Sequence, residues 1–193
     1  MKNLEIYIHI PFCVRKCEYC DFLSFPADDD AKLRYVKGLM AEMIFYGPLM
    51  KNYQVSSVYI GGGTPSSIDE QWIAALMEGV FDCFNVLPDA EISIECNPGT
   101  LGREKLLAYR DAGINRLSIG LQSANNDELK LLGRIHTFEQ FVTNYEVARN
   151  VGFKNINVDL MYGLPGQSAS QYMATVNKII RLHPDHISAY SLI

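Results

Sequence analysis

Six strand-like segments alternate with helix-like segments along this 193-residue chain. The strand-like segments are short and rich in Ile, Val and Tyr; they are Leu4–Ile10, Ser57–Ile60, Glu91–Glu95, Arg116–Gln122, Asn155–Leu160 and His186–Leu192. The helix-like segments cover roughly Asp30–Tyr46, Asp69–Phe84, Arg103–Ala112, Asn126–Leu132, Thr137–Asn150 and Ala169–Leu182. Such regular alternation predicts an α/β fold, in which right-handed crossover helices connect parallel strands.

Most of these strands alternate between apolar and polar residues instead of being apolar throughout. In the fifth, Ile156 and Val158 oppose Asn155, Asn157 and Asp159. Alternate side chains point to opposite faces of a strand, so one face of the sheet is apolar and the other polar. The apolar face can pack under helices, and the polar face needs a partner such as a polar ligand. A sheet with one solvated face is the alternative, but helices on one side only would still curve it. We therefore predict a partial (β/α)6 barrel that resembles a TIM barrel.

Bulk properties narrow the class of protein. The formal net charge is −5 and there is no basic block, which argues against nucleic-acid binding. No apolar run reaches the roughly 18 residues that a transmembrane helix needs, and the first residues do not form a signal peptide. A cytoplasmic protein is therefore expected. Because the chain stops where the sixth strand ends, we expect residues 1–193 to be one domain at the N-terminus of a longer protein.

Three of the five cysteines follow the first strand directly, in a C-x3-C-x2-C pattern formed by Cys13, Cys17 and Cys20. Thiolates are the usual ligands of iron–sulfur clusters. A 4Fe–4S cubane held by only three of them keeps one iron open for a substrate. A structural zinc site is the weaker alternative, since its fourth ligand would have to be His9 or Cys96, and neither has motif spacing.

Two other uses of these cysteines fit poorly. A c-type heme site needs histidine after the last cysteine, where this chain has Asp21. A thioredoxin-like pair leaves the third cysteine unexplained. Cys83 and Cys96 are interpreted as apolar filler in the core.

Polar or glycine-rich motifs stand at the ends of the next strands. In barrels of parallel strands, functional residues gather at the carboxyl ends of the strands. The candidates are Gly61-Gly62-Gly63-Thr64-Pro65 after the second strand, Glu95, Gln122 and Asp159 at the ends of the third, fourth and fifth, and Arg134 after a short helix. Together they predict a cavity with a polar lining, although each alone could be a cap or a surface group.

These motifs resemble two nested families. The cysteine loop, with Tyr19 just before its last cysteine, is similar to the signature of the radical S-adenosylmethionine (SAM) superfamily. Within it, the chain resembles the oxygen-independent coproporphyrinogen III oxidase family. The matching segments are Tyr7–Cys13, Gly61–Pro65, Glu91–Glu95, Arg116–Gln122 and Asp159–Pro165.

The resemblance implies a 4Fe–4S cluster on Cys13, Cys17 and Cys20, whose open iron is chelated by SAM. An electron from such a cluster cleaves SAM to methionine and a 5′-deoxyadenosyl radical. The residues that the resemblance assigns to the cofactor site are Tyr7, Tyr19, Gly62, Gly63, Thr64, Glu95, Gln122, Arg134 and Asp159. Thr64 stands where many relatives carry glutamate.

One departure separates two possible functions. The oxidases carry a further cysteine two residues after the third, where this chain has Phe22. The Cys20-Asp21-Phe22 ending is similar to a branch of heme chaperones, which bind heme and deliver it to respiratory proteins. The resemblance therefore favours a heme chaperone. The alternative is coproporphyrinogen III dehydrogenase, which decarboxylates a porphyrinogen in porphyrin biosynthesis. SAM cleavage is compatible with both.

Overall fold

A computed structural model describes residues 2–192 and contains the six expected strands. They are β1 (Lys2–Ile10), β2 (Tyr53–Gly62), β3 (Val86–Cys96), β4 (Arg116–Gln122), β5 (Asn155–Tyr162) and β6 (His186–Ser191). The helices are α1 (Asp29–Tyr46), α2 (Glu70–Cys83), α3 (Arg103–Asp111), α4 (Asn126–Leu131), α5 (Phe138–Asn150) and α6 (Ala169–Ile180). Short 3₁₀ turns cover Gly47–Met50, Pro65–Ser67 and Pro98–Thr100. Within the described residues, no helix is both long and apolar enough to cross a membrane.

The strands form one sheet whose spatial order is the order of the sequence, β1 to β6. Every neighbouring pair is parallel. Because each crossover adds its strand on the same side of the last one, the sheet curls into a half-barrel with the helices outside. The predicted partial (β/α)6 barrel is confirmed.

The predicted division of the sheet into an apolar and a polar face is also confirmed. The apolar set is buried under the helices; from four of the strands it includes Ile8, Ile10, Ile92, Ile94, Leu117, Ile119, Ile156 and Val158. The opposite set includes buried Ser93, Ser118 and Asn157. These polar residues face the inside of the half-barrel, so the sheet itself creates a polar wall.

Strands β2 and β3 are longer than the sequence indicated. β3 starts at Val86 and includes Pro88 and Asp89, two residue types that are rare in strands. The β2–β3 register jumps from Val55 opposite Val86 to Ser57 opposite Glu91, so Pro88 lies in a bulge where no ladder hydrogen bond is needed from its nitrogen. Cys83, expected as apolar filler in the core, is the last residue of α2 and packs half-buried against the core.

Local caps fix the helix ends. The Asp69 carboxylate accepts a hydrogen bond from the Gln71 backbone N–H at 2.8 Å and caps α2. Gly113 follows α3 with a φ of 88°, a left-handed conformation that ends a helix at little cost only in glycine.

Two glycine-to-alanine substitutions should change stability in opposite directions. Gly113→Ala should lower the free energy of unfolding by about 1 kcal/mol or more, because it strains the left-handed backbone and puts a Cβ 3.1 Å from the Phe81 ring. Gly38 is an exposed residue inside α1, where an added Cβ would meet nothing within 4 Å. Gly38→Ala should therefore raise the free energy of unfolding by about 0.5–1 kcal/mol. Urea unfolding measures both; equal effects would contradict this account of the fold.

Candidate cofactor site

A cavity of about 740 Å³ opens at the carboxyl ends of the strands. Its volume is in the range of small-molecule and cofactor sites. The structure brings together every predicted site residue except Tyr7. The cavity lining includes Cys13, Cys17, Tyr19, Cys20, Gly62, Gly63, Thr64, Glu95, Gln122, Arg134 and Asp159.

The cysteine loop is closed at its base by backbone hydrogen bonds. The Cys13 N–H donates to the Phe25 carbonyl at 3.2 Å, and the Phe25 N–H donates to the Pro11 carbonyl at 2.9 Å. Within the loop, the Cys20 N–H donates to the Cys17 carbonyl at 3.2 Å. These bonds hold all three thiols at the rim of the cavity, and no disulfide consumes any of them.

The residues present fit a cubane cluster. A Cβ on Gly63 would lie 3.1 Å from the Cys13 sulfur and 2.8 Å from the Phe12 carbonyl, so only glycine lets β2 approach the loop this closely. In the part of the chain that the structure describes, no three His, Cys, Asp or Glu side chains are close enough to hold one metal ion. A cubane takes each thiolate at a different iron, which spaces the sulfurs apart. Three cysteine sulfurs that line one cavity beside Gly63 are the type of ligand that iron–sulfur clusters take.

Glu95 ties the tips of β2 and β3 together. Its carboxylate accepts hydrogen bonds from the Tyr59 hydroxyl at 2.9 Å and from the Gly62 N–H at 3.0 Å. Burial still raises the pKa of Glu95, despite the lowering effect of these two bonds. Each carboxylate oxygen keeps a free lone pair that a ligand hydroxyl could use.

Asp159, on β5, is the second carboxylate that lines the cavity. Its carboxylate accepts hydrogen bonds from the Asn157 amide at 2.7 Å and from the Ser118 hydroxyl at 3.3 Å. Burial is the largest influence and raises the pKa of Asp159. A partly desolvated carboxylate of this kind is a strong acceptor for ligand hydroxyls, and it destabilises the fold when it is charged and unliganded.

Arg134 lies over the end of β4 and faces the cysteine loop. Its guanidinium donates to the Gly120 carbonyl at 2.5 Å. It also lies 3.5 Å from both the Cys17 sulfur and the Tyr19 hydroxyl. Arg134 therefore brings a permanent positive charge next to one of the three loop cysteines.

Tyr7 lies outside the cavity lining. Its ring stacks on Tyr59, with 6.2 Å between ring centroids, and its hydroxyl is 3.1 Å from His9 Nδ1. Its side chain is more than half exposed. Tyr59, which separates Tyr7 from the cavity, lines it instead.

The sequence did not single out several lining residues that belong to the polar face of the sheet. They are Tyr59, Arg116, Ser118, Asn157, Ser188 and Tyr190. The two-residue period of each strand could have identified them, since they share a face with the residues that were chosen. Cys96 is buried, as expected, and also contributes to the cavity wall.

Comparison with known proteins is consistent with this site. The family model for the radical SAM superfamily matches residues 7–179. The half-barrel with its cysteine loop is thus the core of a radical SAM protein, and the chain belongs to that superfamily. Among curated proteins it is similar to the heme chaperone HemW of Escherichia coli (39% identity over 98% of this chain and 50% of the relative) and of Bacillus subtilis (39%, 97% and 50%).

Among solved structures the chain is similar to coproporphyrinogen III oxidase (HemN) from Escherichia coli, which is a radical SAM enzyme. The TM-score is 0.92 with 33% identity, covering 100% of this chain and 44% of that one. The chain spans about half the length of the curated relatives that it matches.

Replacing the desolvated carboxylate of Asp159 should change how the stability of the fold depends on pH. The pKa of Asp159 is raised above its ordinary value of 3.8, so stability is lost as pH rises through the folded-state pKa. Asp159→Asn removes that loss, and its stability relative to the wild type should increase between about pH 4 and neutrality. Urea unfolding across this range measures the difference. Asp127→Asn, at a 92% exposed side chain, is the control; equal behaviour of the two variants would contradict the prediction.

Proposed function

We propose that Cys13, Cys17 and Cys20 hold a 4Fe–4S cluster and that SAM occupies the adjoining cavity. Three thiols at one rim, with Gly63 giving the loop room against β2, support this proposal. When bound, such a cluster supplies the electron that splits the sulfonium of SAM into methionine and a 5′-deoxyadenosyl radical.

The remaining residues of the chain would bind and orient SAM. Glu95 and Asp159 line opposite parts of the cavity and offer carboxylate oxygens to ligand hydroxyls. The Gly62 N–H donates to Glu95, which fixes the glycine turn. Because glycines have no side chain, the ligand can approach the backbone of this turn closely. Both carboxylates are partly desolvated, which strengthens hydrogen bonds that they accept.

We further propose that the chain is the radical SAM part of a heme chaperone, which binds heme and passes it to a respiratory protein. The observation that carries this is the similarity to heme chaperones at 39% identity along nearly the whole chain. Phe22 agrees with it, because this residue replaces the further cysteine of the oxidases. Its ring lines the cavity and is 69% exposed. The free, clustered thiols support a reducing, cytoplasmic location.

Coproporphyrinogen III dehydrogenase is the second candidate. The structural similarity to coproporphyrinogen III oxidase favours it, and the cavity would serve radical chemistry equally well. Phe22 argues against it, since a phenyl ring cannot replace a thiol as a ligand or a hydrogen donor.

Loss of one loop thiol should abolish the cluster. Cys17→Ala removes the ligand to one iron, so anaerobically reconstituted protein should lose its visible iron–sulfur absorbance and most of its bound iron. Cys83→Ala, at a half-buried cysteine outside the cavity, should keep both. Unchanged iron content in Cys17→Ala would refute the assignment of the ligands.

Heme binding and oxidase activity can be separated in one preparation. The protein, expressed with whatever sequence continues it and reconstituted with iron and sulfide, should bind heme in a spectral titration. It should not release carbon dioxide from coproporphyrinogen III in the presence of SAM and reductant. Conversion to protoporphyrinogen IX over many turnovers would overturn the chaperone proposal and favour the enzyme.

A further inference from the structure

Gln122 has an unusual backbone for its residue type. It ends β4 with a φ of 76°, and the β4–β5 register shifts between Gly120 and Gln122. Its side chain is only 4% exposed, although it lines the cavity. A non-glycine residue in the left-handed region carries strain that persists only where the surrounding structure fixes it, which often happens at functional sites.

One side chain from a distant strand contacts the Gln122 amide. The Tyr190 hydroxyl, on β6, donates a hydrogen bond to Gln122 Oε1 at 2.7 Å. Tyr190 also lines the cavity. Since β5 lies between β4 and β6, this bond crosses the inside of the half-barrel instead of following the strand ladder.

The other end of the amide lies over a glycine. Gln122 Nε2 is 3.0 Å from the position that a Cβ on Gly120 would take, and Arg134 Nη2 is 3.4 Å from the same point. Gly120 thus leaves space in which an amide nitrogen and a guanidinium gather. Arg134 Nη2 already donates one N–H to the Gly120 carbonyl. Its second N–H and the amide nitrogen can only donate, so a ligand group at this place would have to accept hydrogen bonds.

We propose that Tyr190 is a positioning residue that sets the orientation of the Gln122 amide in the cofactor cavity. An amide without a fixed partner can turn over and exchange its oxygen and nitrogen. By donating to Oε1, the Tyr190 hydroxyl leaves the amide nitrogen over Gly120 beside Arg134. The amide nitrogen and Arg134 then present hydrogen-bond donors to an acceptor group of the ligand. That this ligand is SAM rests on the proposed function.

The backbone next to Gln122 is anchored independently. The Ser123 hydroxyl donates to Glu128 Oε2 at 2.5 Å and accepts from the Asn125 N–H at 3.0 Å. Ser123 is fully buried. Loss of the Tyr190 hydroxyl should therefore free the amide of Gln122 without releasing the end of β4.

Binding of SAM to the cluster-loaded protein tests the proposal. Tyr190→Phe should weaken SAM binding about 3- to 10-fold, the effect of losing one neutral hydrogen bond, with iron content and thermal midpoint unchanged. Tyr162→Phe is the matched control, because Tyr162 ends the neighbouring strand β5, outside the cavity lining, and it should bind SAM as the wild type does. In a Gln122→Ala background, Tyr190→Phe should cause no further loss. Wild-type affinity in Tyr190→Phe, or an equal loss in both backgrounds, would overturn the proposal.

Crystal structures of the cluster-loaded wild type and Tyr190→Phe, both without SAM, test positioning directly. The variant should show the Gln122 amide turned or displaced from Gly120, with the β4 backbone unmoved. An amide in the same place in both structures would overturn the proposal. If the wild type fails to bind SAM, the proposed function fails, while the crystal structures still decide what Tyr190 does.

Discussion

The structure depends on one constraint, namely that the sheet has a polar inner face. Six parallel strands with a two-residue period put hydroxyls, amides and carboxylates on the side away from the helices. Buried polar groups are costly unless they are hydrogen-bonded. Here they satisfy one another across and along the strands. Asn157 on β5 donates to Ser118 on β4 at 2.8 Å and to Asp159 on its own strand at 2.7 Å. The curl of the sheet closes these contacts into the wall of a cavity.

The same wall places the functional groups relative to the cysteine loop. The loop leaves β1 and packs against the glycine turn of β2, where Gly63 permits contact with Cys13. Arg134 reaches the loop from the opposite side of the cavity, between Gly120 and Cys17. Two elements far apart in sequence thus contact the cysteine loop. The two carboxylates, Glu95 on β3 and Asp159 on β5, line the same cavity and have raised pKa values because of burial.

Much of this could be predicted from the sequence, since strand periodicity is a local signal. The half-barrel, the two faces and the gathering of Glu95, Gln122 and Asp159 all follow from counting residues along strands. The partner of Arg134 and the position of Tyr7 could not be predicted, because both depend on how non-local side chains share space. The sequence did not predict that β3 starts as early as Val86, because Pro88 and Asp89 are rare in strands. The bulge around Pro88 accommodates them. The bond of Tyr190 to Gln122 could not be predicted either, because it joins side chains on two strands that are not neighbours in the sheet.

We propose that the three loop thiolates hold a cubane cluster and leave one of its irons open toward the cavity. The most direct measurement is the electron paramagnetic resonance spectrum of the reduced, reconstituted protein, recorded with and without SAM. We expect a cubane signal whose g values shift when SAM is added, because SAM binds the open iron. Identical spectra with and without saturating SAM, or no cubane signal after full iron and sulfide loading, would contradict the account.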